Sequence, residues 1–93
     1  MVKPKAMTES TIFKALSAPQ RLEAMKRLLA SDRALCSSEL ARLLGLPFYA
    51  MSRHLKIIHA AGLVQERREG RHVYYSVAHH DGAFLDAIYQ AVA

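Results

Sequence analysis

Ser37-Ser38-Glu39-Leu40-Ala41-Arg42-Leu43-Leu44-Gly45-Leu46-Pro47-Phe48-Tyr49-Ala50-Met51-Ser52-Arg53-His54-Leu55-Lys56 is the stretch on which the fold turns. Leu40, Leu43 and Leu44 recur at helical spacing, and Gly45 follows where that helix must stop. A second helix is predicted from Pro47 to Ala61, burying Met51, Leu55 and Ile58 on one side. Two helices meeting at a tight turn need a small residue at the crossing, a glycine free to take positive φ, and apolar inward positions that fix the angle. Ala41, Gly45 and the set Leu40, Leu44, Leu46 and Met51 supply these at mutually consistent spacing, which predicts a helix-turn-helix.

The other face of the second helix carries Tyr49, Ser52, Arg53 and Lys56. One aromatic, one hydroxyl and two cations on one solvent-facing surface is the mix that phosphate and base-edge contacts require. Gly62 then ends the helix and Leu63-Val64-Gln65-Glu66-Arg67-Arg68 predicts a strand. Glu69-Gly70 makes a tight turn, and Arg71-His72-Val73-Tyr74-Tyr75-Ser76-Val77 returns with β-branched and aromatic residues. Arg67, Arg68 and Arg71 gather at the hairpin tip as a basic wing, with His72 close enough to reach a phosphate when protonated.

Upstream, Thr8 or Ser10 can cap a first helix whose Ile12, Phe13 and Leu16 form an apolar stripe. Ser17-Ala18-Pro19-Gln20 has capping-box spacing and opens another helix to about Ala30, with Leu22, Met25, Leu28 and Leu29 inward. The last segment, Ala83-Phe84-Leu85-Asp86-Ala87-Ile88-Tyr89-Gln90-Ala91-Val92, is apolar almost all round. Such a helix at the edge of a small domain must bury both faces, which predicts a twofold dimer through the first and last helices. Its interface is expected to use Ile12, Phe13, Leu16, Phe84, Leu85, Ile88 and Val92.

At 93 residues the chain is one domain with a modest core. Residues 1–7 are expected to be a flexible basic lead-in and 8–93 the folded unit. Thirteen Lys and Arg against eight Asp and Glu give a formal charge of +5, which suits a polyanionic partner. The single cysteine excludes an intrachain disulfide and fits a reducing cytoplasm. No apolar run approaches the ~20 residues of a membrane span, and Met1 to Ala6 lacks the apolar core of a signal peptide.

Met51-Ser52-Arg53-His54-Leu55-Lys56-Ile57-Ile58, then Ala61-Gly62-Leu63-Val64, then Arg68-Glu69-Gly70-Arg71 and Tyr74-Tyr75 resemble the recognition helix and wing of ArsR-type (arsenic repressor-like) winged helix-turn-helix regulators. Lys14-Ala15-Leu16-Ser17-Ala18-Pro19-Gln20-Arg21-Leu22 resembles the segment joining the first two helices of that family, and the match runs from about Thr8 to the end of the chain. The resemblance implies a mainly α fold of about five helices with a small two-stranded antiparallel wing, dimeric, binding double-stranded operator DNA as a repressor. The DNA face is then expected to comprise Ser38, Pro47, Phe48, Tyr49, Ser52, Arg53, His54, Lys56, Arg67, Arg68, Arg71 and His72. His54 sits beside Arg53 in a position that either faces DNA or packs at the helix crossing. Phe48 and Tyr49 depart from the polar residues common there in the family, and can meet a thymine methyl or a sugar.

Metal-sensing members of the family place a Cys-x-Cys pair at the start of the third helix, and Leu35-Cys36-Ser37-Ser38-Glu39-Leu40 aligns with it. Only Cys36 matches; Ser38 stands where the second thiolate would be, and a serine hydroxyl is not ionised at neutral pH. Cys36 then reads either as a small buried apolar residue or as a helix-terminal thiol open to oxidation. The family's other metal site pairs Asp-x-His with His-x-x-Glu on the last helix. Here His79-His80-Asp81 precede that helix, Asp86 is its sole acidic residue, and the ligands are too few for a four-coordinate zinc. His79, His80 and Asp81 are expected to form a polar junction with Asp81 as N-cap, and His59 a surface group. No metal and no cofactor are expected, and no inducer is named by these residues.

An enzyme is not expected, because no glycine-rich phosphate loop, Ser/His/Asp arrangement or paired carboxylates in an apolar setting occur. Two other readings stay open: a repressor that responds to thiol oxidation or metal through Cys36 across the dimer, and a winged-helix protein-docking module that binds no DNA.

Overall fold

A computed structural model describes residues 9–78 and 83–92, the latter by backbone alone at residues 83–85 and 92. The elements run α1 (Glu9–Ala15), α2 (Pro19–Ala30), β1 (Leu35–Cys36), α3 (Ser37–Leu44), α4 (Phe48–Ala60), β2 (Val64–Glu69), β3 (His72–Val77) and α5 (Ala83–Val92). The expected lead-in, residues 1–7, and the junction His79, His80 and Asp81 lie outside the described residues.

Ile12, Met25, Leu40, Met51, Leu55, Ile58 and Leu63 are the largest fully buried side chains. They come from α1 to α4 and from the start of the hairpin, so every element up to the wing contributes to one core. The predicted α3–α4 unit is present: Gly45 is left-handed at φ 67°, and Leu46 N–H returns to the Ala41 carbonyl at 2.9 Å. That bond closes α3 with a Schellman-type turn, a geometry in which the left-handed residue is usually glycine. Ala41 is buried where a small side chain was expected, and Leu44 and Leu46 pack on the core.

The expected two-stranded antiparallel wing is present as β2 and β3, and β1 adds a third strand, giving the order β1-β3-β2. β1 pairs antiparallel with β3 through Leu35 with Tyr75 and Cys36 with Tyr74. A two-residue strand carries no alternation, and its partner lies about forty positions away, so local pattern could not disclose it.

Helix starts also differ from expectation. The residue before α2 is Ala18, which makes no side-chain cap. Ser17 Oγ instead donates to the Lys14 carbonyl at 2.7 Å, helping to close α1 rather than to open α2. Ser10 lies inside α1, not before it. Pro47 is the N-cap of α4, one residue outside the helix.

Ile12, expected on the dimer face, is instead 1% exposed within its own chain and is a core residue. Its helical neighbour Phe13 is 55% exposed. On α5, Tyr89 points back at its own domain, where its hydroxyl donates to the carbonyls of Ala78 at 2.9 Å and Leu63 at 3.4 Å.

Candidate nucleic-acid interface

The exposed face of α4 is set by what its other face buries. With Met51, Leu55 and Ile58 inward, the helical period turns Phe48, Tyr49, Ser52, Arg53 and Lys56 outward as one continuous patch. The Arg53 guanidinium lies 5.9 Å from the centre of the Tyr49 ring, a cation–π contact one turn along the helix.

Beside this patch a cleft of about 350 Å³ separates α4 from the wing. Ser52, Lys56 and His59 line it from α4, Cys36, Ser37 and Ser38 from the start of α3, and Glu66, Arg68, Arg71 and His72 from the hairpin. His59, expected to be a surface group, is exposed and lines this cleft. Its spacing from Ser52 and Lys56, seven and three positions, was the sequence signal for that.

The three wing arginines do not share a face. Strand alternation sends Arg68 into the cleft, register-paired with Val73, and sends Arg67 to the opposite side, paired with Tyr74. There the Arg67 guanidinium lies 5.4 Å from the Tyr74 ring centre and 3.1 Å from the Glu69 carboxylate. Gly70, at φ 60°, turns the chain so that Arg71 and His72 come back to the cleft. Glu66 is the one carboxylate that lines this cleft, 4.0 Å from His59 Nδ1. It is register-paired with Tyr75, whose hydroxyl is held above the usual tyrosine range by burial first and by the Glu66 charge second.

His54 is not on this surface. Its ring is half-buried at the crossing of α4 with α1 and α2, where Nδ1 accepts from the Arg21 guanidinium at 3.2 Å. Burial, then the charges of Arg21 and Arg53, hold its pKa below the ordinary 6.5, which favours the neutral ring. Arg21 also donates to the carbonyls of Ala15 and Lys14, at the end of α1. Neither role of Arg21 was read from sequence, because an arginine inside an amphipathic helix looks like any solvated cation.

The start of α3 is organised around Cys36. Glu39 Oε1 accepts from Cys36 N–H at 3.1 Å, and the same carboxylate receives both terminal nitrogens of Arg33, at 2.7 and 3.2 Å. The Arg33 guanidinium first, with the Cys36 N–H second, lowers the Glu39 pKa to about 2. Cys36 is 7% exposed and its Sγ lies 3.2 Å from Ser38 Oγ. Ser37, one residue on, is buried and its hydroxyl donates to the Val73 carbonyl at 3.4 Å, joining α3 to the wing strand.

Residues 18–66 match the pattern of the family described as bacterial regulatory protein, arsR family. The chain belongs to the ArsR family. The ArsR-family assignment agrees with individual relatives: the chain is 42% identical over 82 residues to the HTH-type transcriptional repressor SmtB of Mycobacterium tuberculosis, covering 86% of this chain and 59% of that repressor. It thus spans about three-fifths of the length of that curated relative. Among solved structures, HlyU from Vibrio cholerae N16961 superposes with a TM-score of 0.75 at 29% identity, covering 89% of this chain and 85% of the other. The winged helix-turn-helix DNA-binding domain Mb0332 from Mycobacterium bovis, described as homodimeric, gives 0.74 at 31% identity, covering 89% and 75%. The ArsR-family fold is therefore the winged helix-turn-helix expected from the sequence.

Against the Cys-x-Cys motif of ArsR-type sensors, the donor set at the start of α3 does not fit. Where a second thiolate would stand, Ser38 offers a hydroxyl, and Cys36 is largely enclosed. Among the described residues, no group of three or more His, Cys, Asp or Glu side chains is placed to hold a metal ion. Nor is any described helix long and apolar enough to cross a membrane.

Proposed function

We propose that this chain is a sequence-specific double-stranded DNA-binding repressor acting in the cytoplasm as a homodimer on a pseudo-palindromic operator. The observation that carries it is the outward patch of α4, Phe48, Tyr49, Ser52, Arg53 and Lys56, flanked by a cleft bearing Arg68 and Arg71. In this reading α4 enters the major groove, Arg53 contacts a base edge, and Lys56, Arg68 and Arg71 meet phosphates. A dimer presents two such helices, and its half-sites lie about 34 to 36 Å apart or a multiple of that.

Support for the dimer comes from Phe13, exposed on α1, from the apolar composition of α5, and from the homodimeric description of the Mb0332 domain. The interface is proposed to use Phe13, Leu16, Phe84, Leu85, Ile88 and Val92, with Ile12 left out because the core already holds it. The enclosed Cys36 and its serine neighbour support repression without an arsenical or zinc at that position.

Fluorescence anisotropy on duplexes selected from a random library, across a salt series, tests the reading. Arg53→Ala is expected to relax sequence preference at one position at a cost of about 1 to 3 kcal/mol. Stoichiometric arsenite or zinc is expected to leave the affinity unchanged. Equal affinity of wild type and Arg53→Ala for every duplex would sink the reading.

A further inference from the structure

We propose that Phe48 reads the C5 methyl group of a thymine in each half-site; the inference rests on the DNA-binding reading above. Phe48 and Tyr49 open α4 and are 58% and 69% exposed, two large rings on a surface whose other members are serine, arginine and lysine. Their positions differ. Tyr49 is engaged along the helix by the Arg53 guanidinium. Phe48 lines both the outward patch of α4 and the cleft toward the wing, which puts its ring between the two sets of cations.

A ring so placed has few chemical options. Phenylalanine neither donates nor accepts a hydrogen bond and cannot neutralise a phosphate, so a base-edge contact made by it must be apolar. On the major-groove edges of the four base pairs, the apolar group large enough to pack against a ring is the thymine methyl; cytosine offers only a C5–H, and the remaining features are donors or acceptors. With cations on both sides fixing the helix against the backbone, Phe48 is presented to base edges rather than to the protein's own core. Tyr49, with a hydroxyl and a cation partner, holds Arg53 in place beside it.

The experiment uses the full chain and the duplex recovered by random-library selection. Each thymine is replaced singly by deoxyuridine, which removes the methyl and keeps the pairing edge. One thymine per half-site is expected to lose about four-fold in wild-type affinity on replacement, the worth of one buried methyl group. Phe48→Ala and Phe48→Gln, whose folding is checked by circular dichroism and melting, should bind the thymine and deoxyuridine duplexes alike. The inference is overturned if no single replacement weakens the wild type, or if the variants keep the wild-type penalty. It is overturned equally if Phe48→Ala weakens selected and random duplexes by the same factor, which would place the ring on sugar rather than on a base. Selection that yields no preferred sequence is a different failure: it removes the regulator reading itself, and this inference with it.

Discussion

The Arg21 guanidinium donates to Nδ1 of His54 at 3.2 Å, and through its other nitrogens to the last carbonyls of α1. One side chain thereby closes one helix and props a second from within a third. The arrangement requires a neutral imidazole, since a protonated ring has no lone pair to accept with and would stand as a third charge beside Arg21 and Arg53.

Acid sensitivity follows. The folded pKa of His54 lies below its unfolded 6.5, so near pH 6 the unfolded chain binds more protons than the folded one. The contribution is complete above pH 6.5 and is lost as pH falls through the depressed folded value. Urea midpoints are expected to decline with acidification in that window for the wild type. His54→Gln, which keeps a neutral acceptor, should flatten the decline; an unchanged slope would remove His54 as its source.

Glu39 acts lower on the scale. Its pKa is lowered to about 2 by Arg33 and the Cys36 N–H, so its contribution is present above the ordinary 4.5 and fades as pH falls toward 2. Glu39→Gln is expected to cost about 1 kcal/mol at neutral pH, the usual worth of a helix cap. Stability curves of the two proteins should converge between pH 4.5 and 2. Parallel curves throughout would show that the carboxylate charge is not what secures α3.

Gly45→Ala isolates backbone conformation. A Cβ there meets nothing within 4 Å, so the penalty arises from φ 67° alone. A loss of about 1 to 2 kcal/mol is expected from forcing alanine into the left-handed region. A neutral result in chemical denaturation would mean that the turn can relax without disturbing the α3–α4 crossing.

The wing should be asymmetric in DNA binding. Arg68→Ala and Arg71→Ala are each expected to lower the log–log salt slope by about 0.9, one phosphate contact apiece. Arg67→Ala should change it less, because that guanidinium is engaged by Glu69 and Tyr74 on the far face of the hairpin. Equal slopes for all three variants would contradict the proposed docking.

Two neighbouring substitutions on α1 separate folding from assembly. Ile12→Asp buries an unpaired carboxylate and should unfold the chain. Phe13→Asp sits on an exposed position and should leave the fold intact while giving a monomer in sedimentation. A dimeric Phe13→Asp protein would move the interface elsewhere.

The helix-turn-helix was legible because its signals are local and redundant. The spacing of Leu40, Leu44, Met51, Leu55 and Ile58, with a glycine between, leaves few alternatives. The outward face of α4 followed from the same period. What escaped was decided at long range: the pairing of Cys36 with Tyr74, the reach of Arg21 to His54, and the place of Glu66 in the cleft. The sequence places the three arginines at the wing, and the period of two in a strand then separates Arg67 from Arg68 across its faces. Ile12 was assigned to a partner because a stripe on a short helix does not say which of two apolar surfaces it meets.

The small strand β1 ties together the two parts proposed to face DNA. It runs directly into α3 and is laced to β3 through Leu35 and Cys36, while Ser37 adds a further bond to Val73. The helix-turn-helix and the wing are thus bolted together at the root, and the hairpin is no freely swinging arm on Gly62. In the proposed complex the molecule is a caliper with a fixed gap: the distance between helix contact and wing contact is set by the protein, and the DNA is expected to bend or widen its groove to match.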